Sequence, residues 1–108
     1  MNNYRAQEEE SILVRLAAQY IAREANRNAL ITPIRAALSA KRTRATIYVS
    51  VFPDEAVSSA LSFLQRRQHD FFEFLKQESR LSPIPGIRFE FDRGQENLRR
   101  VSEISFDS

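Results

Sequence analysis

The stretch from Ile31 to Asp54, ITPIRAALSAKRTRATIYVSVFPD, contains two segments typical of β-strands around a basic turn, and it ends at a proline followed by an acidic residue. In its second segment, residues 44–52, aliphatic side chains occupy every other position, which predicts a strand with one buried face. That face would carry Ile47, Val49 and Val51, and the opposite face Thr46, Tyr48, Ser50 and Phe52. Tyr48 is the best candidate for an exposed aromatic side chain.

The first segment predicts a shorter strand that begins at about residue 34, because Ile34, Ala36 and Leu38 alternate with other side chains. Pro33 cannot donate a backbone hydrogen bond, which argues against a central place in a sheet. Residues 39–43 would join the two strands as a hairpin loop of ordinary length. Its basic side chains would therefore lie at a loop tip.

Helical periodicity appears on both sides of this hairpin. From Tyr4 to about Ala25 the apolar residues recur at intervals of three and four, which predicts a helix with one apolar face and Asn3 as a possible N-cap. After the hairpin, Asp54 is predicted to cap a helix whose apolar positions begin at Val57. Asn26 and Asn28 would end the first helix.

A second helix is predicted to start at Phe71, with Asp70 as its N-cap and Glu73 in the position that completes a capping box. The helical region should therefore bend near residues 67–70. After two prolines and Gly86, the apolar residues of 87–92 alternate as in a strand, and residues 95–104 predict one or two further helical turns. Helical spacing makes most of Phe71, Phe72 and Phe74 core residues rather than base-stacking groups.

The predicted order is helix, strand, strand, helix, helix, strand, which indicates an α+β fold. So small a sheet can bury only one face under helices, so the other should be open to solvent. A chain of 108 residues supports a single domain, expected over residues 1–104, with 105–108 as a short tail.

Composition excludes several classes of function. The chain has no cysteine, one histidine (His69), and glycine only at Gly86 and Gly94, which removes thiol nucleophiles, histidine metal clusters, phosphate-binding P-loops and the GxxG loop of ordinary KH domains. We therefore expect no enzyme, no cofactor and no small-molecule substrate. The missing cysteine and the lack of a membrane-length apolar run favour a cytoplasmic protein without membrane contact.

The net charge of +2 conceals an uneven distribution. No acidic residue lies between Glu24 and Asp54. That interval holds the basic residues Arg27, Arg35, Lys41, Arg42 and Arg44. Any contact with a polyanion should centre on this part of the chain.

In residues 31–54, together with Leu64–Gln65 and the segment RLSPIPGIRFEFD at 80–92, the chain resembles the ribosome-binding factor A family of bacterial small-subunit assembly factors. The resemblance covers about two-thirds of the chain and implies a type II KH-like fold with helices on one face of a three-stranded sheet. That family replaces GxxG by an alanine-any-glycine kink, which aligns with residues 67–69 and is absent here. Arg66 and Arg67 would lie at this bend, either as solvated helix residues or as contacts to nucleic acid.

The resemblance implies a non-enzymatic factor that binds the small (30S) ribosomal subunit and its 16S rRNA, assists rRNA processing and late subunit maturation, and acts as a monomer. Two alternatives remain: a protein-interaction module that docks an acidic partner through its basic loop and open sheet face, and a generic RNA-binding KH-like protein. The candidate RNA-binding residues are Arg35, Lys41, Arg42, Arg44, Arg66, Arg67 and Arg80.

Overall fold

A computed structural model describes residues 3–24 and 28–93. The chain forms a three-stranded sheet in the order β1 (Leu30–Leu38), β2 (Arg44–Phe52) and β3 (Gly86–Phe91), with β1 antiparallel and β3 parallel to the central strand β2. The α+β class and the predicted order of elements are confirmed. The elements are α1 (Asn3–Glu24), β1 (Leu30–Leu38), β2 (Arg44–Phe52), a short 3-10 helix (Asp54–Ala56), α2 (Val57–Arg66), α3 (Gln68–Glu78) and β3 (Gly86–Phe91).

The predicted bounds of β2 agree with the structure, but β1 begins at Leu30, several residues before the predicted start. Pro33 lies opposite Val49, whose carbonyl accepts a hydrogen bond from Asp92 on the other side of β2. The Pro33–Val49 pair is therefore a non-hydrogen-bonded pair of the ladder, where a missing N–H costs nothing. The register then shifts at Ile34, so this side chain is exposed and the predicted alternation is broken.

One face of the sheet forms the core with the helices. The buried side chains of β2 are the aliphatic set predicted from the alternation, together with Ala45. The aromatic residues of α1, α3 and β3 meet on this face: the ring of Phe71 lies 5.3 Å from Tyr20 and 5.5 Å from Phe89, and Tyr20 lies 5.4 Å from Phe74. Phe71 and Phe74 are thus core residues, as helical spacing predicts.

The predicted helix caps at Asp54 and Asp70 are wrong. Asp54 starts the 3-10 helix, and α2 begins only at Val57, with no side-chain cap. Helix α3 begins at Gln68, so Asp70 lies inside its first turn and Arg67 precedes it. Both helices start without the carboxylate caps that local sequence favours.

The first helix, the hairpin loop and the end of the helical region before Gly86 agree with the predictions. The predicted turns at 95–104 and the proposed tail lie outside the described residues, as do the side chain of Asn3 and all of Asn26. None of the helices in the described ranges combines the length and apolar character of a membrane span.

Candidate nucleic-acid interface

The hairpin loop of residues 39–43 is held by its own backbone. Ser39 donates its N–H to the carbonyl of Arg44 at 2.8 Å, and its carbonyl accepts the N–H of Arg42 at 2.9 Å. The Ser39 hydroxyl accepts the N–H of Arg44 at 3.2 Å. Arg42 adopts φ = 59°, in the left-handed region that costs a non-glycine residue about 1 kcal/mol or more. The loop therefore has a defined shape that is partly strained.

Two carboxylates of α1 hold the loop from one side. Glu9 lies 3.3 Å from the guanidinium of Arg42, and Glu10 accepts the N–H of Leu38 at 2.9 Å. The charge of Arg42 is therefore already neutralised within the protein. By contrast, Lys41 and Arg44 are exposed, and neither side chain forms an ion pair with any described residue.

The loop lies beside the start of β3, because Gly86 donates its N–H to the carbonyl of Thr43 at 2.9 Å. Arg80 belongs to the segment that brings the chain from α3 to this point, and its exposed side chain likewise has no ion-pair partner in the described part of the chain. We call Lys41 and Arg44 the loop-end cations.

The bend between α2 and α3 is at Arg67, within the predicted range. Its φ of −102° and ψ of 7° are accessible to any L-residue, and its N–H donates to the carbonyls of Phe63 and Leu64 at 3.2 and 3.1 Å. Phe71 in turn donates its N–H to the Arg67 carbonyl at 2.8 Å. Because this break needs no positive φ, the bend requires no glycine.

The side chain of Arg67 forms contacts within the protein, although 41% of it is exposed. Its guanidinium lies 3.1 Å from a carboxylate oxygen of Glu24 and 3.9 Å from Asp70. The buried Tyr20 hydroxyl donates to Asp70 at 2.5 Å. Burial, followed by this hydrogen bond, raises the pKa of Tyr20 to about 12. Arg67 therefore links α1 to the bend. Arg66, by contrast, is exposed, and among the described residues its side chain donates only to Ser62, at 2.9 Å.

The open face of the sheet carries balanced charges. The guanidinium of Arg35 lies 3.8 Å from the ring centroid of Tyr48 and 3.9 Å from Asp92, so Arg35 and Tyr48 lie together on this face. Arg88 and Glu90 pair at 3.1 Å on the same face, since they flank the buried Phe89. At one end Leu30 and Phe52, which pair across the strands, are 66% and 71% exposed.

The structure does not bring all the candidate residues together. Arg66 lines a cleft with Ile31, which pairs with Val51 near the end of β2, whereas Arg44 begins that strand. At about 3.3 Å per residue, Val51 and Arg44 are roughly 23 Å apart along β2, so Arg66 and Arg44 lie toward opposite ends of this strand. The carboxylates that neutralise several candidates come from distant parts of the chain, and no local motif in the sequence marks them.

No family model matches the sequence, and no curated protein matches it. Over most of its length the chain shares its fold with structures of ribosome-binding factor A. A Thermotoga maritima ribosome binding factor A candidate, solved by NMR, has a TM-score of 0.72 and 27% identity and covers 87% of this chain and 92% of its own.

The crystal structure of ribosome-binding factor A from Thermus thermophilus has a TM-score of 0.73 and 24% identity, with coverage of 82% and 98%. A Thermus thermophilus homology model fitted into a cryo-EM map of a 30S–RbfA complex has a TM-score of 0.68 and 25% identity, with coverage of 81% and 94%. The chain therefore has the fold of ribosome-binding factor A, and the resemblance found in its sequence is confirmed.

Proposed function

We propose that the protein binds the small ribosomal subunit through its 16S rRNA and assists rRNA processing and late subunit maturation. The observation that carries this proposal is the match of most of the chain to ribosome-binding factor A, one homology model of which was fitted into the map of a 30S complex. The protein would act without catalysis or cofactor in the cytoplasm, by favouring one fold of the RNA that it contacts.

The loop-end cations are the residues we assign to the first phosphate contacts. They are exposed and unpaired among the described residues, and the backbone hydrogen bonds of the loop orient Lys41 and Arg44 before any RNA is bound. A preformed basic loop avoids part of the ordering cost of binding. Such contacts position a protein on RNA, while the shape of the RNA site supplies specificity.

The remaining candidate RNA-binding residues are less suited to direct contact with RNA. Arg35, Arg42 and Arg67 each face a carboxylate of the protein, so RNA would have to compete with an existing ion pair. Arg66 has no such competitor among the described residues, and we assign it to a second contact at the bend. A protein module for acidic partners is less favoured, because the open sheet face balances its arginines with Glu90 and Asp92.

The test is sedimentation of the full chain with purified 30S subunits over a series of salt concentrations. Lys41→Ala/Arg44→Ala should weaken binding and make its salt dependence shallower by about 0.7–0.9 for each lost phosphate contact. The matched control is Arg15→Ala/Lys76→Ala, which removes the same charge from exposed helix positions elsewhere and should bind as the wild type does.

Equal weakening by the two variants would show that net charge, and not the loop, determines binding. No association with 30S subunits at low salt would refute the proposed partner. The maturation role has its own readout: loss of the gene should raise the proportion of unprocessed small-subunit rRNA, and a normal proportion would contradict that role even if binding holds.

A further inference from the structure

The two outer edges of the sheet differ in whether another strand could pair with them. At the β1 edge, Pro33 lacks an N–H, the register shift at Ile34 interrupts the strand, and the carboxylate of Glu10 already accepts the outward N–H of Leu38. A proline, a bulge and a side-chain cover are the means by which proteins prevent another strand from adding to an edge. The β1 edge is therefore blocked.

The β3 edge has none of these features. The N–H of Gly86 bonds to Thr43 and that of Asp92 to Val49, so the even-numbered residues of β3 direct their backbone groups toward β2. By alternation, the N–H and C=O groups of Ile87, Phe89 and Phe91 point away from the sheet. No strand of the described residues covers them, and they border an open groove of about 750 Å³ beside α2.

The side chains of β3 are complementary to themselves. Arg88 and Glu90 lie on the open face on either side of Phe89, and they are 72% and 41% exposed. In an antiparallel pair of β3 strands related by a two-fold axis at Phe89, each Arg88 faces the Glu90 of the other copy. Ile87 then faces Phe91 and Phe89 faces its own copy, so the outward N–H and C=O groups of the two strands lie opposite one another and can form hydrogen bonds. Opposite charges at directly facing positions stabilise a strand pair.

We propose that two copies of this chain associate through their β3 edges, which would join the sheets into one continuous sheet with about six new backbone hydrogen bonds. The family resemblance implies a monomer, but the sequence does not show which strand lies at an edge of the sheet. Single-stranded RNA fits this edge less well, because Arg88 is paired with Glu90 and the helical side of the groove presents the neutral side chains of Gln65 in α2 and Gln68 in α3. This inference does not depend on the proposed ribosomal function.

Analytical ultracentrifugation of the full chain from about 5 to 500 µM tests the proposal, a range chosen because small interfaces bind weakly. The wild type should show a monomer–dimer equilibrium. Arg88→Glu and Glu90→Arg each place like charges opposite one another twice, and each should raise the dissociation constant about tenfold or more. The double variant Arg88→Glu/Glu90→Arg exchanges the charges and should restore the wild-type constant.

Amide hydrogen exchange identifies the edge directly. Protection of the Ile87, Phe89 and Phe91 amides should rise with protein concentration, while the Arg88 and Glu90 amides are protected throughout. A wild type that stays monomeric over the whole range would overturn the proposal. A double variant no better than the single ones would do the same, as would concentration-independent protection of the three outward amides, which an intramolecular strand would produce.

Discussion

Asp70 offers a sharp test of how the bend is held. A capping role would stabilise α3 through its own backbone, whereas in the structure Asp70 accepts the hydroxyl of the buried Tyr20 and lies near Arg67. Asp70→Ala leaves a buried hydroxyl without its partner, which costs about 1.5–3 kcal/mol for a hydrogen bond to a charged group. The Arg67 contact, at 3.9 Å and half exposed, adds little.

Tyr20→Phe removes the hydroxyl itself, so no buried hydroxyl is left without an acceptor. The freed carboxylate of Asp70, whose side chain is 59% exposed, can then be hydrated, so this variant should cost less than Asp70→Ala, about 1 kcal/mol. In the double variant the two costs should not add, and the coupling energy should be about 1–2 kcal/mol. His69→Ala, one residue away and exposed, is the control and should change stability by less than about 0.5 kcal/mol.

The measurement is urea unfolding of the four Tyr20/Asp70 forms and the control at neutral pH. The decisive comparison is Asp70→Ala in the wild-type and Tyr20→Phe backgrounds. If its cost is the same in both, within about 0.3–0.5 kcal/mol, then Asp70 acts through α3 alone and the tertiary hydrogen bond contributes nothing. A neutral Asp70→Ala would refute both roles.

Three further predictions concern neighbouring features. The pKa of Tyr20 is raised from 10.0 to about 12, so its contribution to stability is complete below pH 10 and is lost as the pH rises through 12. When unfolding is measured at a series of pH values, the wild type should therefore lose more stability than Tyr20→Phe over this interval. In urea unfolding, the free energy of unfolding should be about 1 kcal/mol higher for Arg42→Gly than for Arg42→Ala, since both lose the same ion pair and only glycine tolerates φ = 59° at no cost. Arg67→Ala should lower the free energy of unfolding by about 0.5–1 kcal/mol and change 30S sedimentation little, because Arg67 pairs with Glu24. Arg66→Ala should leave stability nearly unchanged and weaken 30S sedimentation. A larger loss of 30S binding from Arg67→Ala than from Arg66→Ala would contradict a structural role for Arg67.

The strands show where periodicity is sufficient and where it fails. In β2, a central strand, the buried and exposed positions alternate without interruption, so the sequence predicts both its ends and its faces. In β1 the extra residue Ile34 shifts the register, so the residues before it and after it do not follow one continuous alternation of faces. In the sequence, Pro33 looks like the start of the strand, although it lies within it. Whether a proline can lie within a strand depends on which backbone groups point outward, and that is known only once the partner strand is placed.

The helix caps fail for a different reason. Asp70 followed by Glu73 matches a capping box, but Tyr20, fifty residues earlier, brings a buried hydroxyl that needs an acceptor. Glu73 instead lies near Lys76, at 3.6 Å. A solvent-exposed backbone amide at a helix start can bond to water, whereas a buried hydroxyl cannot, so the tertiary contact prevails over the local motif.

The same kind of distant contact decides which arginines can face RNA. The acid-free interval of the sequence suggests a uniformly basic region, but Glu9 and Asp92 lie outside that interval and reach Arg42 and Arg35 within it. Ion pairs of this kind do little for stability, yet they lower the gain when a phosphate replaces the carboxylate. Counting basic residues along the chain therefore overstates the surface available to a polyanion, and salt-dependent binding should report the unpaired cations rather than the whole basic interval.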